Sequence, residues 1–369
     1  MSGSRVDADV EVRIDTRVRL MGALLAVTGY PTSIQKSRPH GVHVFARNTR
    51  RMLGDMSADP TVVQLQSLLD DGISLETLFA LSMHLHPTTF ELVRPLPGWV
   101  PSNLAANIRD FNKRTKLSLW FEKERAAWEK AEEESRNVFN AARFQSLLAQ
   151  FFDNVPAKLV FVPNLLYPSD REVTVLFNGE LICIAPPPLA WGDNPPWAYD
   201  DPAMLSYSLF NALGGYGKLL LDRELEANPG VIEEAAEQAL PVNEQFRAAY
   251  PTWKEQFREL FAYALTALYL EDYVSDREYR AFVLIEQRMR GMNILPGTVN
   301  VMRRYMKERG HKYATIADWI RVFPIRAAPR QAVRELVGGA TPRCRCDGSS
   351  PVRGRRSATF QPRQLRVRP

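Results

Sequence analysis

Few residues in this chain are of a type and spacing that could do chemistry. Glu259 lies in PTWKEQFRELFAYALTALYLED, where Trp253, Phe257, Leu260, Phe261, Ala264, Leu265 and Leu268 recur at helical spacing. Glu259 falls on the opposite side with Ala262 and Thr266, and a carboxylate on a small-residue face implies a second element packed there. It could act as a general acid or base with a raised pKa, or as a structural group bonded to Tyr207 or Ser208 of the preceding helix. Ser206 and Ser208 lack a G-x-S-x-G elbow, and no Ser/His/Asp order accompanies them. Of the five histidines, His40 and His43 sit at or beside a loop without a metal-ligating partner, which suits ordinary surface roles. His84 and His86 close a helix before Pro87, where an imidazole interacts favourably with the helix dipole; His84 is also kept as a cleft candidate. Trp191, Trp197 and Tyr199, on the loop PPPLAWGDNPPWAYDDP, read either as an aromatic wall for a ligand or as a lid packed on the body.

Two further patterns fail as sites. GGYGKL at 214–219 misses the G-x-x-x-x-G-K-[ST] phosphate loop, with Ala212 and Leu219 at its ends, so glycines serving close packing or a helix break explain it better. Cys344-Arg-Cys346 offers two thiols where a zinc site wants four ligands. No cofactor is expected.

The elements that must position these residues follow from caps and periodicity. A strand-like lead and a helix over EVRIDTRVRLMGALLAVTGYP end at Gly29 and Pro31, and a loop runs from Thr32 to Val42. Helices are predicted over 42–56, 60–70 and, capped by Ser74, SLETLFALSMHL. Long helices cover 103–152, and the i,i+4 opposite charges of FEKERAAWEKAEEESRNVF mark a solvent-facing side. From Pro156, AKLVFVPNLL and EVTVLFNGELICIAP are strands, with Asn178-Gly179 as a hairpin turn, making a small sheet of about three strands over residues 156–186. Asp200 or Asp201 caps the next helix with Pro202 at its first position, and helices follow at 275–290, 297–309 and 314–322.

The chain has 369 residues, 45% of them hydrophobic, which is enough for one large core or two modest ones. Its net charge is +5, but residues 341–369 hold eight Arg against Asp347 alone. Once that +7 is set aside, residues 1–340 carry −2, so nucleic-acid binding is not expected except nonspecifically through 341–369. The Arg/Pro/Ser/Gly composition from 338 onward predicts a disordered basic tail. Three cysteines are too few for a disulfide framework, and no apolar run reaches the ~20 residues of a membrane span, which together imply a soluble, cytoplasmic protein. LMGALLAVTG at 20–29 reads as a first core helix, not a signal peptide.

VRLMGALLAVTGYP, VVQLQSLLDDGISLETLFALSMHL, NIRDFNKRTKLSLWFEKERAAWEKAEEE and the 156–166 strand, in that order, resemble a bacterial family of uncharacterised proteins, a domain of unknown function similar to gluzincin-type zinc metallopeptidases. The resemblance spans roughly residues 12–290 and rests on order and apolar pattern. It implies a zincin-like core in which one helix carries H-E-x-x-H and a later Glu completes the zinc ligands, the first Glu activating the metal-bound water. Glu259 matches that later Glu, but the preceding helix reads MLSYSLFNAL, with Leu205, Ser206 and Leu209 at the motif positions in the best register.

The resulting expectation is a mainly helical α+β protein: a helical region over 1–152, a small sheet with a zincin-like helical region over 153–337, and a basic tail over 338–369. Its expected function is that of a catalytically inactive metallopeptidase-like protein that binds a peptide or protein through a residual cleft, with no metal. An active hydrolase built on Glu259 with Tyr207, His84 or His86, and a tail-driven nucleic-acid binder, are the alternatives.

Overall fold

The computed structural model describes residues 8–324 apart from Trp191; the Arg-rich segment with Cys344 and Cys346 lies outside the described residues. The protein is α+β and mainly helical with one small sheet. Contacts gather the described residues into one compact unit. No described helix is long and apolar enough to cross a membrane.

The chain begins with β1 (Val10–Val12), and Asp15 caps α1 (Thr16–Ala26) by accepting from the Arg17 amide. In place of the expected loop from Thr32 there is α2 (Tyr30–Ser37), because Pro31 in its first turn starts a helix and does not end one. Next come α3 (Val44–Leu53), α4 (Pro60–Asp70) and α5 (Leu75–Ser82). Ser74 Oγ accepts from the Thr77 amide at 3.2 Å, as its cap position requires, whereas Glu76 pairs with Arg171 and closes no capping box. The long helical stretch is divided into α6 (Leu104–Thr115), α7 (Leu117–Lys123), α8 (Arg125–Phe139) and α9 (Phe144–Leu148). Lys116, at φ 55°, turns the chain between α6 and α7. The charges of α8 pair along its surface, Arg136 with Glu132 at 2.6 Å and Lys130 with Glu134 at 3.7 Å.

The sheet consists of β1, β2 (Lys158–Pro163), β3 (Val173–Phe177) and β4 (Glu180–Ala185), in the order β1-β2-β4-β3. β1 and β4 run parallel to β2, while β3 pairs antiparallel with β4 across the Asn178-Gly179 turn. Both turn residues have positive φ, 54° and 77°, which the side chain of Asn tolerates and Gly takes freely. β2 and β4 are buried along almost their whole length, so their runs are continuously apolar, not alternating. The fourth strand, β1, came from outside the expected 156–186 because its partner is nearly 150 residues away.

After the Pro-rich loop, α10 (Leu205–Ala227) starts later than expected. Asp201 caps a turn by accepting from the Ala203 amide, and Met204 occupies the N-cap position. The connector holds α11 (Val231–Ala236) and α12 (Glu244–Ala249), and then α13 (Trp253–Tyr269) opens on a Thr252–Glu255 capping box. A π-helical turn, Leu270–Val274, leads into α14 (Asp276–Arg290), α15 (Leu295–Glu308) and α16 (Ile316–Ile320). α13 lies between α10 and α15, so both its large apolar face and its small-residue face are covered.

The glycines of α10 are there for close approach. At Gly217 a Cβ would come within 2.6 Å of Leu265 Cδ2, whereas at Gly214 it would make an ordinary 3.6 Å contact with Ala262. A Cβ on Gly215 would collide with the Thr174 hydroxyl of β3 and lie 3.5 Å from Cys183 Sγ of β4. α10 is thereby pressed against the sheet on one side and α13 on the other, at a helix-propensity cost of about 1 kcal/mol per glycine. Cys183 is fully buried there, and burial pushes its thiol pKa well up.

Two measurements check this packing. Gly215→Val is expected to cost about 1–3 kcal/mol in chemical denaturation, since Thr174 is stiff and cannot yield; Gly297→Val, where a Cβ meets nothing, sets the helix-propensity baseline. His43 caps α3, its Nδ1 accepting from the Phe45 amide at 3.2 Å, and burial holds its pKa down to about 4 from an ordinary 6.5. The unfolded chain takes up this proton below pH 6.5 and the folded chain only near pH 4, so the contribution is present above pH 6.5 and is lost as pH falls through 4. His43→Asn, which keeps a capping side chain, is expected to flatten the fall in unfolding free energy between pH 6.5 and 4.

Candidate functional site

A cleft of about 900 Å³ opens where α10, α13, α14, the start of β3 and the loop after β4 converge. α10 sends Tyr207, Asn211, Gly215 and Lys218 into it, a series of three- and four-residue steps along one side of the helix. α13 adds Glu259 and Tyr263, one turn apart, and the residues leading into β3 add Arg171 and Glu172. A larger and more open groove, about 1230 Å³, passes α3 and its arginines Arg47, Arg50 and Arg51, but it contains none of Lys218, Glu172 or Glu259. The titratable groups that face one another are in the smaller cleft.

At its floor, the Lys218 ammonium pairs closely with Glu172 and stands 3.5 Å from Glu259 Oε1. Lys218 is 9% exposed. Burial pulls its pKa down, but the attraction of Glu172 and Glu259 outweighs that and raises it overall, so the amine is held as a cation. A second cluster lies beside it. Glu286 of α14, completely buried, accepts from the Tyr207 hydroxyl at 2.9 Å and from Arg290 Nε at 2.6 Å. Burial raises the Glu286 pKa, and Arg290 and Tyr207 work against that rise. Tyr250 also lines the cleft, its hydroxyl pKa raised by burial and by the Glu259 charge.

The residues singled out in the sequence are only partly brought together. Glu259 and Tyr207 share the cleft, but Tyr207 is bonded to Glu286, and Ser208 Oγ donates to the Tyr199 carbonyl at 2.6 Å. Neither reaches Glu259; the expected structural bond is replaced by Lys218. His84 lies off the cleft, its Nδ1 2.9 Å from the Pro95 carbonyl and its ring 5.3 Å from Phe177, and His86 Nδ1 accepts from the Thr88 and Thr89 amides. His40 is buried, not at the surface, with Nε2 2.9 Å from Ser169 Oγ. Tyr199 is a core residue whose hydroxyl donates to the Ala185 carbonyl at 2.7 Å; Trp197 is half-exposed and outside the lining of this cleft, and Trp191 lies outside the described residues. The wall is made by Pro186, Pro187, Pro188 and Leu189 instead.

Leu205, Ser206 and Leu209 are packed near the start of α10, with Ser206 and Leu209 buried. Lys218 lies roughly 20 Å beyond Leu205 along the helix axis at 1.5 Å per residue. The stretch of α10 that meets Glu259 is therefore GGYGK, not LSYSL. Sequence reasoning passed over Lys218 and Glu172. The available signal was a lysine followed at once by Leu219, Leu220 and Leu221 in an apolar helix, which needs a carboxylate wherever it is buried. Among the described residues no group of three or more His, Cys, Asp or Glu side chains is placed to hold a metal ion.

Compared with known proteins, the chain matches no family model, no curated protein and no solved structure.

Lys218→Met leaves Glu172 and Glu259 facing each other without the ammonium between them. A loss of about 3–5 kcal/mol is expected in denaturant unfolding, with part of it recovered in Lys218→Met combined with Glu172→Gln and Glu259→Gln. A single substitution within about 1 kcal/mol of the parent would mean that the three charges are not energetically coupled.

Proposed function

We propose that this protein is a catalytically inactive relative of zinc peptidases that acts by binding a ligand in the cleft above Lys218. The observation that carries the reading is the Lys218 ammonium between Glu172 and Glu259. Positions 214, 215 and 218 have the spacing of H-E-x-x-H, and they lie on the helix that packs against the one bearing Glu259. Gly, Gly and Lys stand there. Gly214 has no donor atom, Gly215 has no carboxylate to take a proton from water, and a protonated lysine has no lone pair to give a metal. A fixed cation already occupies the neighbourhood of the carboxylate that would serve as third ligand.

Further support comes from the order of elements: a small mixed sheet with an antiparallel edge strand, then the two packed helices. A hydrolase centred on Glu259 gains no support, because the carboxylate is tied to Lys218 and neither Tyr207 nor His84 reaches it. We take the protein to act in the cytoplasm, as the sparse use of cysteine suggests.

Metal analysis of the purified chain is expected to find far less than one zinc per molecule, with no cleavage of unstructured peptides. Gly214→His combined with Lys218→His supplies a His₂Glu set with Glu259 and is expected to take up about one zinc per chain. Adding Glu259→Gln is expected to weaken that uptake by about 10–100-fold. Stoichiometric zinc in the unaltered protein would overturn the reading.

A further inference from the structure

The charges lining the cleft are not equally satisfied. Each of its four carboxylates is engaged: Glu172 and Glu259 by Lys218, Glu76 by Arg171 at 3.8 Å, and Asp170 by the Tyr30 hydroxyl at 3.1 Å. Two of its guanidinium groups have no carboxylate. Arg38, exposed, donates only to the Asp170 backbone carbonyl at 3.4 Å, and Arg288, also exposed, has no hydrogen bond or ion pair among the described residues. Arg288 stands on α14 beside Ile285 and Met289, which line the same cleft and leave 40% and 46% of their surface exposed. Across the cleft, Pro187, Pro188 and Leu189 form an apolar wall without side-chain donors.

We propose that the cleft binds a short peptide segment in which acidic and apolar residues are mixed, its carboxylates meeting Arg38 and Arg288 and its apolar side chains lying against Ile285 and Met289. This rests on the reading of the cleft as a non-catalytic binding site. A guanidinium offers paired N–H groups that match a carboxylate, and an unpaired one on a cleft lip attracts an acidic partner before contact. The cleft volume is at the upper end of the ~300–1,000 Å³ usual for ligand sites, which suits a few residues of extended chain. A nucleic-acid strand fits less well. Its charge recurs at every nucleotide, and it would pass the carboxylates of Glu76 and Asp170, with no exposed aromatic ring among the described lining residues to stack a base.

The test is fluorescence anisotropy with a labelled, end-capped octapeptide of alternating Glu and Leu, titrated with the full chain. Analogues carry Gln or Lys in place of Glu, and a single-stranded octanucleotide serves as competitor. The Glu peptide is expected to bind about tenfold more tightly than the Gln peptide, and Arg38→Glu with Arg288→Glu to weaken it about tenfold. Arg47→Glu with Arg51→Glu, an equal charge change outside the cleft, is expected to change it by less than about twofold. Equal affinity for the Glu and Gln peptides, equal effects of the two double variants, or displacement by the oligonucleotide at lower concentration than by unlabelled Glu peptide would each overturn the proposal. Mass spectrometry of the recovered peptide keeps the two readings apart. A cleaved peptide would overturn the non-catalytic reading, while the comparison of affinities would still decide the ligand class.

Discussion

Taking a lysine ammonium out of water costs several kcal/mol, and Lys218 offsets that cost only because two carboxylates from different elements meet it. One comes from the residue just before β3, the other from α13. The ion cluster therefore ties three elements that are far apart in sequence, with the lysine common to both pairs. Removing the lysine takes the shared counter-charge from both carboxylates, which is the expensive outcome. This constraint sets how α10 sits between the sheet and α13.

Close packing makes the cluster reachable. Gly215 lets α10 approach the Thr174–Cys183 strand pair, and Gly217 lets it approach Leu265. A side chain at Gly215 would meet the Thr174 hydroxyl and hold the helix away from the strand pair that precedes the cluster. The same proximity explains why α13 carries small residues around Glu259: Ala262 and Thr266 are fully buried against neighbours, so their face was never a solvated one. The cleft is what remains open above this floor, bounded on one side by the Pro186–Leu189 wall and on the other by α14. α14 is held in turn by the buried Glu286 accepting from Tyr207 and Arg290.

Much of the fold was legible. Thr252 with Glu255 announces α13, Ser74 announces α5, and Asn178-Gly179 announces the β3–β4 hairpin, because each works through hydrogen bonds or backbone angles within a few residues. The close-packing role of the glycines in GGYGKL was also readable. The errors share one cause. Pro31 reads as a stop and begins α2; Asp200 or Asp201 reads as the N-cap of α10, but Asp201 caps a preceding turn; β1 joins the sheet through β2, a partner too distant in sequence to be read. In each case two local readings compete, and the surrounding packing selects one.

The site was legible to a lesser degree. Sequence alone marked Glu259, the small-residue face around it and the helix pair that buries it, because side-chain periodicity follows from 3.6 residues per turn. It could not tell which turn of α10 faces that carboxylate, and GGYGK is the stretch in contact, not the turn that holds Leu205, Ser206 and Leu209. Nor could it pair Lys218 with Glu172, 46 positions earlier. Helical spacing fixes direction around an axis but leaves the sliding of one helix along another free. That displacement is decided by where the glycines seat and where the buried charges find partners, and both exist only once the chain has folded.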